Sequence, residues 1–387
     1  MQKSKNITLI FEHFSSEHLG KDPFLVPYYL GKMLGYTVCI VYPKQKTCQN
    51  LPSEINGVKM IQLPLRGSER SKEIIRYSEF YKYVWNNAVK IDLMMRFFDI
   101  PLSRKLSIIY KIRNPHGKFY LKMDANPLHL ISQTPSSTSV LGRLKFKLLD
   151  TYSKRCIDIV SCETKLAFDN LRNSESEWNH WGSKMVLMPN GFDEELFAKS
   201  HIIEKNFTEK ANVMITVGRL GTPQKNTSML LKALEKVEMR DWKCYLIGSI
   251  EDSFQNEITS FYERCPEKIN NVIFTGPIYD KKELWEYYNN SKLFILSSKF
   301  ESFALVYVEA KRFGNYILTT PVGAAFDVTA DGKYGDLVCQ DDADMMAEKI
   351  QKIIDGETNV DVYSGYNPDN LSWENCVRKI VEKMCNE

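Results

Sequence analysis

Arg219, Lys225, Glu301 and Glu309 are the residues of this 387-residue chain whose types and spacing best suggest chemistry. Glu301 and Glu309 lie in the stretch 294–314, FILSSKFESFALVYVEAKRFG. On a helix their separation is roughly 12 Å at 1.5 Å rise per residue. Carboxylates accept hydrogen bonds from hydroxyls, a guanidinium forks onto phosphate oxygens, and an ammonium adds a compact positive charge. A sugar joined to a nucleoside diphosphate could meet Glu301 with its hydroxyls, a helix N-terminus with its phosphates and Glu309 with its ribose. The same two glutamates equally fit a solvated Glu301 and a Glu309 paired with Arg312 at i+3.

The elements that must position these residues follow from the apolar pattern. Residues 294–297 form a short apolar run that suits a buried parallel strand, and 298–302 break it. Residues 304–313 place Ala304, Leu305, Val308 and Phe313 among Glu309, Lys311 and Arg312, which predicts a helix closed by Gly314 at C′. Arg219 and Lys225 fall between a strand at 213–217 and a helix at 227–236, in the loop that also holds Gly218, Leu220, Gln224 and Asn226.

The chain opens with a strand at 7–11, a polar loop at 12–22 containing His13, His18 and Gly20, a helix at 23–34 and a strand at 38–42. Further strands are predicted at 60–63, 92–97, 119–123, 157–161 and 184–188, with helices at 74–86 and 141–155. Residues 194–210 read as a polar linker. A second alternation then runs from 213 through strands at 243–247, 272–275 and 316–319 and helices at 256–265, 281–289 and 343–354. The pattern predicts an α/β protein of two Rossmann-like, doubly wound domains, 1–200 and 205–370, facing each other across an interdomain cleft. A terminal amphipathic helix at 371–387 packs back on the first. No GxGxxG follows the first strand, which argues against a dinucleotide cofactor.

Composition narrows the class. With 43% hydrophobic and 26% charged residues the chain reads as globular, not disordered. Its net charge of +3 is uneven: residues 101–155 hold eleven Lys and Arg against two Asp and Glu, a local +9. The helix at 141–155 carries Arg143, Lys145, Lys147, Lys154 and Arg155 among leucines. That pattern suits an anionic membrane surface as well as a solvated face over a core. The nine cysteines include no CxxC pair, so zinc-ribbon and thioredoxin readings lack support. The first apolar run is too short for a signal peptide and no run reaches the length of a membrane span. A cytoplasmic protein is expected, with room for peripheral attachment at the inner face of a membrane and without a nucleic-acid partner.

The motifs PNGFD (189–193), VGRL with QKN (217–226), FTGPI (274–278) and LSSKFESFALVYVEA (296–310) together resemble the GT-B fold glycosyltransferases of retaining family 4, the glycosyl transferases group 1. LVCQDD (337–342) and SWE (372–374) fit more weakly. The likeness spans about 184–375, and the N-terminal half shares only the general layout. The resemblance implies that Arg219 and Lys225, beside Gly218, bind the donor diphosphate, that Glu309 holds the ribose and that Glu301 contacts the transferred sugar. Arg219, Lys225 and Glu301 are then the catalytic set, acting by fixed charge where the leaving group develops its own. The amides of Phe303, Ala304 and Leu305 would approach sugar and phosphate, and Gly276 and Ile278 would flank the base. His13, Gly20 and Asp124 fall on the acceptor side.

The family also implies that the helix after Trp373 returns to the first domain, and that the anomeric configuration is retained without an enzyme nucleophile. Its usual E-G-F-G is here Glu301-Ser302-Phe303-Ala304, which predicts an altered donor pocket. Many relatives carry a histidine after a strand of the first domain, and here either Asp124 or no residue takes that position. Asp342-x-Asp344 reads as a helix cap, so no metal and no cofactor are expected beyond a nucleotide-sugar co-substrate. The acceptor would be a saccharide or a lipid-linked molecule of polysaccharide or glycolipid synthesis. Two alternatives stay open: a sugar-nucleotide epimerase on the same fold, and a non-catalytic nucleotide-sugar-binding subunit.

Overall fold

The apolar runs become strands and the periodic segments between them become helices. The computed structural model describes residues 4–44, 51–67, 71–124, 139–172 and 181–385. The strands are β1 (Asn6–Ile10), β2 (Thr37–Lys44), β3 (Glu54–Ile55), β4 (Val58–Pro64), β5 (Leu93–Phe97), β6 (Lys118–Met123), β7 (Ile159–Cys162) and β8 (Met185–Leu187), then β9 (Val213–Val217), β10 (Lys243–Ile247), β11 (Val272–Gly276), β12 (Leu293–Leu296), β13 (Tyr316–Thr319) and β14 (Gly335–Leu337). They build one sheet in the order β3-β4-β2-β1-β5-β6-β7-β8 and another in the order β11-β10-β9-β12-β13-β14. Every pairing is parallel except β3 with β4. The chain divides into two compact units, residues 1–191 with 373–387, and residues 192–372.

Both faces of the second sheet are covered. Met214, Cys244 and Leu246 pack with Leu230, Leu234 and Phe261 on one side. Their neighbours Ile215 and Ile247 pack with Trp285, Phe313 and Tyr307 on the other. That alternation is the period of two expected of a strand buried on both faces. β12, LFIL, is buried throughout for the same reason.

Several local features depart from the pattern reading. The predicted helix at 74–86 is broken at Tyr77 into Glu73–Arg76 and Ser78–Asn87. Pro101–Arg113 is helical, started by a proline at its first position. The predicted linker at 194–210 begins as a helix, Glu194–Ser200, capped by Asp193, whose Oδ1 accepts from the Leu196 N–H at 3.1 Å. The helix predicted from 304 starts at Val306, because Ala304 lies at φ +70. Gly314, at φ +65, follows it as predicted. β3 and β14 are too short to leave a periodic signal.

In the first unit the helix Trp373–Cys385 packs on the helix Asp22–Leu34. Gly191 lies against it so closely that a Cβ there would come within 2.7 Å of the Trp373 backbone. In the second unit the Phe192 N–H donates to Leu371 O at 2.7 Å. The Gly191–Trp373 contact in one unit and a Phe192–Ser372 bridge in the other thus link PNGFD to SWE, motifs far apart in sequence. The eight described cysteines are free thiols, and Cys48 lies outside the described residues. Among the described residues no helix is long and apolar enough to cross a membrane.

Candidate nucleotide-sugar site

The second sheet has a point where strand order reverses. From β9 the chain moves outward to β10 and β11, then returns to β12 on the other side of β9. Loops leaving neighbouring parallel strands in opposite directions open a crevice at their carboxyl ends, where ligands bind in such sheets. Gly218, Arg219 and Lys225 follow β9, and Glu301 follows β12, so both sets lie at this crevice.

Glu301 is not solvated: it is 7% exposed. Its Oε1 accepts from Lys225 Nζ at 2.6 Å and from Ser298 Oγ at 2.8 Å. Its Oε2 accepts from Gln224 Nε2 at 3.3 Å. Gln224 in turn accepts from Arg219 Nη2 at 3.3 Å, so one amide links guanidinium to carboxylate. The Lys225 backbone is fixed by Ser297, whose Oγ donates to Lys225 O at 2.9 Å and lies 3.1 Å from Asn226 O. A Cβ on Gly218 would sit 3.0 Å from Lys225 Cε, so the missing side chain leaves the path for the lysine stem. Lys225 gives one N–H to Glu301, and Arg219 is exposed, so N–H groups of both cations remain for an anion.

Glu309 pairs neither with solvent nor with Arg312. Its Oε1 accepts from Lys281 Nζ at 2.5 Å and from Trp285 Nε1 at 3.2 Å, both on the helix Lys281–Asn290. The phenol of Tyr288, on the same helix, is pushed well above its ordinary range by burial, with the Glu309 charge adding to it. Arg312 is held instead by Glu194 and Glu204, each at 2.7 Å.

Between the two glutamates the backbone turns sharply. Phe303 is buried in the core, Ala304 takes the left-handed conformation, and Leu305 precedes the helix Val306–Arg312. That helix has seven residues, under two turns, so its dipole is small. Arg219 and Lys225 bring full positive charges to this edge. Gly323, at φ +54, backs the turn, since a Cβ there would lie 2.9 Å from Glu301 Cβ and 3.0 Å from Phe303 O. Gly276, at φ +75, ends β11 with open space where a Cβ would stand. Ile278 is half-buried against the core beside Tyr279, which is fully out in solvent. Asp342 caps the helix Ala343–Ile354, its Oδ1 accepting from the Met345 N–H at 2.8 Å, and Asp344 pairs with Lys236.

In the first unit, His13 and Gly20 are exposed in the loop after β1, and Asp124 directly follows β6. His18 is committed locally. Its Nδ1 accepts from the Ser15 N–H at 3.0 Å, and its ring packs against both Phe11 and Phe14. Burial lowers its pKa, helped by Lys21. Near Asp124 lies a buried charge cluster: Lys122 Nζ pairs with Asp22 at 2.8 Å and also with Glu163. Burial raises the Glu163 pKa, opposed by Lys122 and reinforced by Asp124 and Asp22. Burial works against the Lys122 charge, but those carboxylates outweigh it.

Sequence reading missed Gln224, Ser298, Lys281, Trp285 and Gly323. Gln224 and Ser298 lie inside the quoted motifs at 217–226 and 296–310 without an assigned role, and Lys281 and Trp285 share a helix face at i, i+4. Nothing local in the sequence points Lys281 and Trp285 at Glu309, or Gly323 at Glu301.

Two doubly wound parallel units, the second with its charged crevice at the switch point, define the class: the GT-B fold of glycosyltransferases. Two solved structures share it along nearly the whole chain. A glycosyltransferase of Rickettsia africae superposes with a TM-score of 0.73 at 16% identity, over 98% of this chain and 97% of its own. Anabaena HepE, solved in complex with UDP, gives 0.69 at 14% identity over 99% and 100%. Residues 198–367 match the model of the family "Glycosyl transferases group 1". The phosphatidyl-myo-inositol mannosyltransferase of Mycolicibacterium smegmatis is 27% identical over 178 residues, 46% of this chain and 44% of that protein. The chain spans less than half the length of the curated relatives it matches first.

Proposed function

We propose that this protein is a retaining glycosyltransferase that moves a sugar from a nucleoside diphosphate sugar to a saccharide or lipid-linked acceptor in polysaccharide or glycolipid synthesis. The observation that carries the reading is the linked set Arg219–Gln224–Glu301–Lys225, which puts two cations and a hydroxyl acceptor at the switch-point crevice. The complex of HepE with UDP is in keeping with a nucleoside diphosphate in a GT-B protein.

In the proposed reaction the bond from the anomeric carbon to the β-phosphate oxygen breaks and a bond to the acceptor oxygen forms on the same face. The acceptor hydroxyl proton passes to the departing phosphate. Arg219 and Lys225 meet the negative charge that grows on that phosphate, a preorganised stabilisation that calls for no metal in this scheme. Glu301 accepts from a hydroxyl of the transferred sugar and Glu309 from the ribose. Ala304 and Leu305 line the sugar side, and Gly276 and Ile278 the base. His13, Gly20 and Asp124 face the acceptor, and the protein works on the cytoplasmic side, at a membrane when its acceptor is lipid-linked.

A thermal-shift screen against UDP, GDP, ADP and CMP in the presence of a chelator tests the reading. One diphosphate should stabilise the protein selectively, by about 2.7 kcal/mol at a hundred times its Kd. The anomeric configuration of the product, read by NMR, then tests retention. No stabilisation by any nucleotide would sink the assignment.

A further inference from the structure

The helix Val140–Cys156 exposes an apolar stripe, where an ordinary surface helix buries its own. Its buried residues are Asp150 and Ser153. Asp150 is held by Arg104 at 2.8 Å, and the Arg104 guanidinium also lies 5.0 Å from the Phe146 ring centre. Phe146 and Leu149 are half-buried on the same side, and the helix's other large apolar residues are exposed. Val140, Leu144, Leu148 and Tyr152 recur every four positions, Leu141 stands beside them, and all five are between 50% and 84% exposed.

Cations border this stripe. Arg143 and Lys147 lie along one edge, Lys145 along the other, and Arg155 near its C-terminal end, all exposed. Asp150, the helix's single acidic residue, is buried, so the outer surface carries positive charge alone. A second copy of this face would set like charges against each other. An apolar stripe edged by Lys and Arg fits a surface that offers hydrocarbon beneath anionic headgroups.

We infer that Val140–Cys156 docks this protein on an anionic lipid bilayer, the stripe entering the interface and the cations meeting lipid phosphates. The inference deepens the lipid-linked reading of the acceptor and rests on it only for its purpose. Vesicle binding needs no donor, and nucleotide binding needs no vesicle, so either can fail while the other stands.

Flotation of the full-length protein with vesicles of equal parts phosphatidylglycerol and phosphatidylcholine, against phosphatidylcholine alone, provides the test. The parent should float with the anionic vesicles, less so as salt rises, and stay behind with the neutral ones. Leu141→Gln/Leu144→Gln/Leu148→Gln should lower the partition coefficient at least about a hundredfold through lost apolar burial. Arg143→Gln/Lys145→Gln/Lys147→Gln should lower it about fivefold per charge. All six positions are exposed, so both variants should keep the parent's circular dichroism and melting temperature. The inference is overturned if the parent ignores anionic vesicles, if neither variant alters binding, or if the parent is a dimer that the leucine variant splits.

Discussion

Replacing Lys225 by methionine removes one charge and keeps most of the stem that Gly218 accommodates. Lys225 Nζ lies 2.6 Å from Glu301, in a pair whose side chains are 17% and 8% exposed. Glu301 would keep Ser298 and Gln224 but lose its cation. A charge-assisted hydrogen bond is worth about 1.5–3 kcal/mol, and partial exposure keeps the stability loss below the roughly 3–5 kcal/mol of a fully buried pair. The bound diphosphate would lose one of two cations, another ~1.5–3 kcal/mol, or about 10–150-fold in Kd. Calorimetric titration with the nucleoside diphosphate that stabilises the parent measures this second effect, and a melting curve the first. Repeating the substitution in a Glu301→Gln background separates the roles. If Lys225 serves only to neutralise Glu301, its loss there changes nothing. A Kd within about twofold of the background protein would therefore refute the placement of phosphate at Lys225.

Other outcomes follow from the same geometry. Ala304→Gly relieves a left-handed alanine worth about 1 kcal/mol, so the melting temperature should rise by about 2–4 °C; a fall would show that the alanine methyl packs favourably. Glu309→Gln keeps the shape that meets Lys281 and Trp285 but drops the charge. Nucleoside diphosphate should bind about tenfold more weakly while inorganic pyrophosphate binds unchanged, and equal losses for both would move Glu309 away from the ribose. Burial holds the folded pKa of Glu163 above the usual carboxylate range. Above the ordinary glutamate pKa the folded protein holds a proton that the unfolded chain has lost, so this contribution to stability is complete below that pKa and is lost as pH rises through the raised folded value. Glu163→Gln should flatten that fall in melting temperature as pH rises above the ordinary glutamate range, and an unchanged slope would assign it to another group.

Much of the fold was legible because its signals are local. The four-residue run LFIL of β12 is buried on both faces, and the periods at 227–236 and 343–354 give helices at just those residues. Once strands are parallel, the loops after β9 and β12 must emerge at one edge, so the spacing in sequence already carried Arg219, Lys225 and Glu301 to a common place. Gly314 could be read as a helix stop because a positive φ favours a residue without a Cβ.

Partner choice was not legible, since no local window contains both partners. Glu301 finds Lys225 at a separation of 76 residues and Glu309 finds Lys281 at 28, while Arg312 turns to Glu194, 118 residues away. The conformation at Ala304 breaks the preference of its own residue type, held by a turn that Gly323 supports. The helix at 140–156 shows the limit most directly: its period fixes that it has an apolar side. Only the seating of Asp150 against Arg104 decides that this side faces out, because amphipathicity defines two faces and tertiary contacts choose which one is buried.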